Sequence, residues 1–289
     1  MDDASAPRGR SLWRQAWRRL LANRMAVAGG VVVIVMAALA LAAPLVSPRG
    51  YDETSPEQYS PPSRHHPMGT DIHGRDLLTR VLYGARLSLG IGLVATVVSL
   101  VIGVGYGAVS GYAGGKTDDV MMRVVDIIYS LPYMFFVIIL VAVFGRSVLL
   151  LFLALGAVQW LTVARIVRGQ VLSIKEKEFI QAAHAIGAGH ARIIVHHLLP
   201  NVLGPVVVYM TLTVPAVMLQ EAFLSFLGLG VPPPASSWGT LIADGASAIN
   251  ALRIYWWLLL FPGAAMAATL FAMNFLGDGL RDAIDPQMR

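Results

Sequence analysis

Residues 25–48 contain no Asp, Glu, Lys or Arg, and five further apolar stretches, each with at most one charged residue, recur before the C-terminus. A helix needs roughly 20 apolar residues to cross a bilayer, and a helix satisfies its own backbone groups there without water. Hydrophobic residues make up 56% of the 289 and charged ones only 13%, with a mean hydropathy of +0.64, which excludes an ordinary soluble domain. The expected fold is all-α and polytopic, with six transmembrane helices at about 25–46, 87–109, 124–144, 148–164, 202–226 and 256–276.

Around these spans the chain divides into a basic arm (1–24), a first span (25–46), an outer loop (47–86), a core of five spans (87–280) and a short tail (281–289). The arm holds six Arg, and Trp13, Trp17, Leu20 and Leu21 among Arg14, Arg18 and Arg19 suit either a helix along the membrane surface or a basic anchor for the first span. No small-residue cleavage site follows the first apolar run, so it is expected to be retained. Pro132 is expected to kink the third span, and Pro205 and Pro215 to break the fifth. Gly90, Gly92, Gly103, Gly105 and Gly107 suit close helix packing in the second. The stretch 227–255 is long enough to dip back toward the bilayer, and Tyr255, Trp256 and Trp257 suit an interfacial anchor.

With six spans both termini share a side. Of the 22 Lys and Arg, 15 then fall on the side of the N-terminus and 7 on the other, which puts both termini in the cytoplasm of a plasma or inner membrane. The same asymmetry accounts for the net charge of +5, and no basic stripe interleaved with aromatics points to nucleic acid. The absence of Cys excludes disulfides and thiol catalysis.

One polar stretch on the cytoplasmic side stands apart, KEKEFIQAAHAIGAGHARIIVHHLLPN from Lys175 to Asn201. Good helix formers run from Glu176, and Phe179, Ala182, Ala183 and Ile186 recur on one small, shallow face suited to another protein's groove. Gly187 suits a left-handed residue closing that helix. A second helix from His190 is expected to end at Pro200, which would open the next.

From Gln181 the chain reads Gln-Ala-Ala, three residues, Gly187, nine residues, His197-Leu198-Leu199-Pro200. This resembles the cytoplasmic EAA loop of ABC-importer permeases, with Gln181 and His197 in place of that motif's Glu and Ile. The segments HPMGTDIHGRDLLTRVLYGARLSL, GYAGGKTDDVMMRVVDIIYSLP, ARIVRGQVLSIKEKEFI, FLSFLGLGVPPPASSWG and FPGAAMAATLFAMNFLGDGLRDAIDP are similar to the dipeptide, oligopeptide and nickel importer permeases, over roughly residues 66–286. Within that group MFFVIILVAVFG, ARIVRGQ and QEAFLSFLGLG look most like oligopeptide permeases of the C-subunit type. The resemblance implies a type I importer permease, partnered in the membrane by lipid and a second permease subunit. Two cytoplasmic ATPases would hold the ATP and Mg, and a peptide-binding protein would sit outside. The coupling loop would be 174–200, with Glu178, Gln181, Ala182, Ala183, Gly187, Leu199 and Pro200 meeting the ATPase. Gln181 lacks the charge of the motif's Glu, and Glu178, one turn earlier, can supply it.

No enzyme or cofactor site is expected in this subunit. SGYAGGKT (Ser110–Thr117) lacks the first glycine of a phosphate loop and follows a membrane helix instead of a strand. Outside, His65, His66, Asp71, His73 and Asp76 could bind a metal such as nickel but suit turns and ion pairs better, since a metal site needs converging ligands as well as available ones. Glu221 falls within the fifth span, where a carboxylate is costly; it suits either the translocation path or a cap on the outer loop helix. Asp126 is expected near Arg123 at an interface. Rival readings are a dipeptide or nickel importer, an ion-coupled carrier using Glu221 and Asp126, and a membrane hydrolase, for which neither G-x-S-x-G nor H-E-x-x-H is present.

Overall fold

The computed structural model describes residues 12–47, 50–249 and 253–284. Residues 1–11 of the arm, the side chains of Trp13 and Arg14, and 285–289 of the tail lie outside the described residues. Helix α1 (Leu12–Ala22) is amphipathic: Leu20 is buried against Ala26 and Ala283, while Trp17 and Leu21 are exposed. Asn23 separates it from α2 (Arg24–Val46), its side chain accepting from the amides of Met25 and Ala26 at the open helix start.

After the outer loop comes α3 (Leu77–Ala113), then α4 (Gly115–Ser130), α5 (Tyr133–Phe144) and α6 (Val148–Lys175). The short helices α7 (Glu178–Ala185) and α8 (His190–Ile193) lead through a π-turn, Ile194–Leu198, into α9 (Leu199–Phe226). Helices α10 (Trp238–Ser247) and α11 (Trp257–Ile284) complete the chain. Among the described residues five helical runs are long and apolar enough to cross a membrane, and six spans result if the bent pair α4–α5 makes one.

Helix α9 runs unbroken through Pro205 and Pro215, which were expected to break it, and four further differences from the expected elements have physical causes. Helix α3 begins at Leu77, inside the stretch expected as loop, because Asp76 caps it (Oδ2 accepts from the Thr79 amide at 2.9 Å) and Arg80 is paired rather than solvated. At Leu131–Pro132 the third span breaks, with α4 and α5 bent by 78°, more than a kink, since Pro132 has no N–H to continue the ladder. The helix from His190 does not end at Pro200. Within the π-turn the Leu199 amide reaches back to the Ile194 carbonyl, a widening that admits a proline without a break. Finally α11 runs through to Ile284, so the first residues expected as tail are helical.

Small residues set the packing. Added Cβ atoms at Gly103, Gly107 and Gly111 would lie 2.5 Å from the Val163 side chain, 2.3 Å from the Ala164 carbonyl oxygen and 2.9 Å from that of Arg168, so this face of α3 lies directly on α6. Gly92 meets Val214 of α9 in the same way, whereas Gly90 and Gly105 face open space. Helix α10 is tucked between α3, α9 and α11. Trp238 is its buried anchor, donating from Nε1 to the Val81 carbonyl and from its amide to Ser88 Oγ, both at 2.9 Å. This is the part of 227–255 that returns to the helical core.

Candidate functional site

Helix α6 ends at Lys175, whose ammonium donates to the Gly111 carbonyl at the end of α3 (3.0 Å). Three residues on, α7 starts. Its inner face, Ile180 and Ala183, is buried with Ile174, Ile193, Leu198 and Val202. The outer face carries Phe179, Ala182 and Ile186, all exposed, Ile186 to 84%. Ala183, expected on the outward face, is therefore part of the loop's own core; at the 100° step between neighbouring residues, Ala182 and Ala183 straddle the boundary of a narrow stripe.

The helix is closed by Gly187 at φ +80°, with the Gly187 amide donating to His184 O (2.9 Å) and the Ala188 amide to Ala183 O (3.0 Å). This paired closure needs a left-handed residue, which glycine supplies without a Cβ penalty. Gln181 is exposed and donates from Nε2 to the Glu176 carbonyl (3.2 Å), joining α7 to the end of α6, while Glu178 is exposed in the first turn. Leu199 is half-buried and Pro200 exposed, both on the continuous helix into α9. Asn201 Nδ2 donates to the His197 carbonyl at 2.6 Å beside the π-turn.

The loop is also tied to α3 by contacts between side chains far apart in sequence. Tyr112 hydrogen-bonds His190 Nδ1 through its hydroxyl (2.6 Å) and lies parallel to the His184 ring with centroids 6.2 Å apart. Behind it, Arg168 of α6 makes two bonds to the Asp118 carboxylate, 2.7 and 2.5 Å, and Ser110 Oγ donates to the same group at 2.5 Å. A two-pronged guanidinium–carboxylate pair fixes geometry as well as charge. Thus Ser110 of the phosphate-loop-like stretch and Asp118 just after it join Arg168 in holding α3, α4 and α6 together, and the Gly114–Gly115 turn within the stretch follows a helix. Asp126 pairs with Arg165 at 2.8 Å rather than with Arg123, because α6 runs alongside α4.

Glu221 is 2% exposed and its Oε1 accepts from Ser225 Oγ (2.6 Å) and from Ser237 Oγ (2.7 Å), the residue that caps α10. In this subunit it is turned toward the outer loop helix instead of an open path. In the outer loop, Asp71 Oδ2 accepts from Arg75 Nε (2.7 Å) and Arg80 Nη1 (2.6 Å), and Oδ1 from the amides of His73 and Arg75. Burial alone would raise the Asp71 carboxyl, but the Arg80 charge and the Arg75 hydrogen bonds outweigh it and hold it below the usual carboxylate range. His66 Nδ1 lies 2.9 Å from Asp76 Oδ1. Both carboxylates thus serve turns and ion pairs, and among the described residues no three His, Cys, Asp or Glu converge as metal ligands would.

The short helix α7, hung between two long apolar helices, thus keeps an exposed apolar face, and the sequence is similar to those of known proteins. Residues 99–289 match the family described as the binding-protein-dependent transport system inner membrane component, and residues 11–63 match the N-terminal TM domain of oligopeptide transport permease C. The oligopeptide transport system permease protein OppC of Escherichia coli (strain K12) is 52% identical over 97% of this chain and 93% of its own. That of Haemophilus influenzae is 49% identical over 97% and 90%. The dipeptide transport system permease protein DppC of Bacillus subtilis (strain 168) is 46% identical over 96% and 87%. With the family model matching residues 99–289 and relatives about half identical over nearly the whole chain, this chain belongs to the family of binding-protein-dependent transport system inner membrane components.

Proposed function

We propose that this chain is the C-type membrane half of an ATP-driven type I oligopeptide importer, completed by a second permease subunit, two cytoplasmic ATPases and an outside peptide-binding protein. The observation that carries the reading is the exposed Phe179–Ala182–Ile186 face of α7, backed by a packed core and joined to two long helices. It suits an ATPase groove that takes an amphipathic helix. When the ATPases bind ATP and close, the loop would move as one body with the inner ends of α6 and α9, and alternating access would follow from rotation about the shared permease interface. ATP and Mg belong to the partners. The excess of Lys and Arg on the α7 side supports a cytoplasmic loop and cytoplasmic termini.

Oligopeptide is favoured over dipeptide or nickel by the names and higher identities of two of the relatives above. The test is uptake into liposomes holding the assembled complex, with labelled pentapeptide, dipeptide and nickel offered in turn. ATP-dependent pentapeptide uptake exceeding the other two is expected. Transport by this chain alone under a proton gradient would overturn the importer in favour of a carrier.

A further inference from the structure

Where α4 breaks from α5, a cavity of about 570 Å³ opens against α6 and α9. Its size lies within the usual range for ligand sites, about 300–1,000 Å³. Tyr129, Pro132, Phe136, Gln159, Trp160 and Gln220 define it, and every residue lining it is uncharged. We propose that this is where a transported peptide's main chain is held in transit, its amide groups bonded by the paired carboxamides of Gln159 and Gln220. The inference rests on the importer reading above.

The chemistry of that pair selects the ligand. Gln159 Nε2 donates to Gln220 Oε1 at 3.3 Å, the long end of hydrogen-bond range, so the pair opens at little cost. One bond between two carboxamides consumes one donor and one acceptor. Whichever way the amides are turned, one carbonyl oxygen and one amino group are left, and neither has another side-chain partner among the described residues. A peptide unit offers the complement, one N–H and one C=O, whatever its side chains. Tyr129, Phe136 and Trp160 supply flat surfaces against which varied side chains can lie. A charged wall would instead sort peptides by charge. The intramembrane carboxylate of Glu221 is one residue from Gln220 and so turned about 100° around α9, toward Ser225 and Ser237. The backbone supports the same site: a break in a membrane helix is tolerated where it lines a cavity, and this cavity is lined by the break itself. On the far side of Tyr129, Arg165 pairs with Asp126 and covers the Tyr129 ring at 4.3 Å.

The test uses the assembled complex in liposomes. In Gln159→Leu with Gln220→Leu, the KM for ATP-driven import should rise about tenfold, and by the same factor for Ala-rich, Lys-rich and Glu-rich pentapeptides, because two main-chain hydrogen bonds are lost. A rise confined to one side-chain class, or none, overturns the site. Because the chain has no cysteine, Gln159→Cys places a single thiol in it. A pentapeptide bearing a chloroacetyl group should attach there during ATP-driven import and not to Leu41→Cys, exposed on α2. This second measurement decides the matter where the double variant does not assemble, and attachment at neither position overturns the proposal. Wild-type import with both measurements negative leaves the importer standing and removes the site, whereas a wild-type complex that imports no peptide removes both.

Discussion

Gly105 and Gly107 stand two residues apart on α3 and do opposite things. A methyl group at Gly105 meets nothing within 4 Å, and at Gly107 it would sit 2.3 Å from the Ala164 carbonyl oxygen. Gly105→Ala should leave thermal stability in detergent unchanged or raise it by up to about 1 kcal/mol, through helix propensity. Gly107→Ala should lower it by about 1–3 kcal/mol, since α3 and α6 must separate. Thermal melts of the two purified variants compare them directly, and equal melting points would contradict the packing. In sequence both glycines read alike as small residues in an apolar helix. Which one bears the contact depends on the rotation of α3 against α6, a property of neither helix alone. Asp71 shows a similar divide: turn and ion-pair chemistry are legible in GTDIHGRD, but Arg80 as its partner requires a helix that starts at Leu77.

Among the elements, α7 is the one whose role rests on exposure. Its outward Ile186 touches water in the isolated subunit, so Ile186→Glu should cost no stability. It should cut ATP-driven uptake by the assembled complex about tenfold or more, as loss of an apolar anchor does at an interface. Gly187→Pro should do likewise, because proline holds φ near −65° and the closure of α7 needs +80°. Full uptake in either variant, with the subunits assembled, would mean that α7 transmits no force. The helix, its glycine closure and most of its outward face were legible as a 3.6-residue period ended by Gly187. The inward turn of Ala183 was not, and neither was the grip of Tyr112 on His184 and His190, which joins positions separated by more than 70 residues. The π-turn before Pro200 was hidden as well, since a proline after a helical stretch signals a stop unless neighbouring helices support a wider turn.

For the whole molecule the governing quantity is the division of Lys and Arg between the two sides. Single cysteines report it in this cysteine-free chain. Ile186→Cys should react with a membrane-impermeant thiol reagent only in inside-out vesicles, and His73→Cys only from outside intact spheroplasts. The reverse pattern would invert the proposed topology. What the sequence determined by itself was the class of fold, the order of spans and the presence of a polar helical loop between two of them. These depend on hydrophobic run length, helical period and charge asymmetry, which are properties of neighbouring residues. Only the tertiary structure decided that Pro132 breaks a span into two helices around a cavity, that Glu221 turns to Ser225 and Ser237, and that Gln159 meets Gln220. Each of those depends on how α4, α5, α6, α9 and α10 rotate and approach one another, and side chains on separate helices acquire partners only when the helices pack.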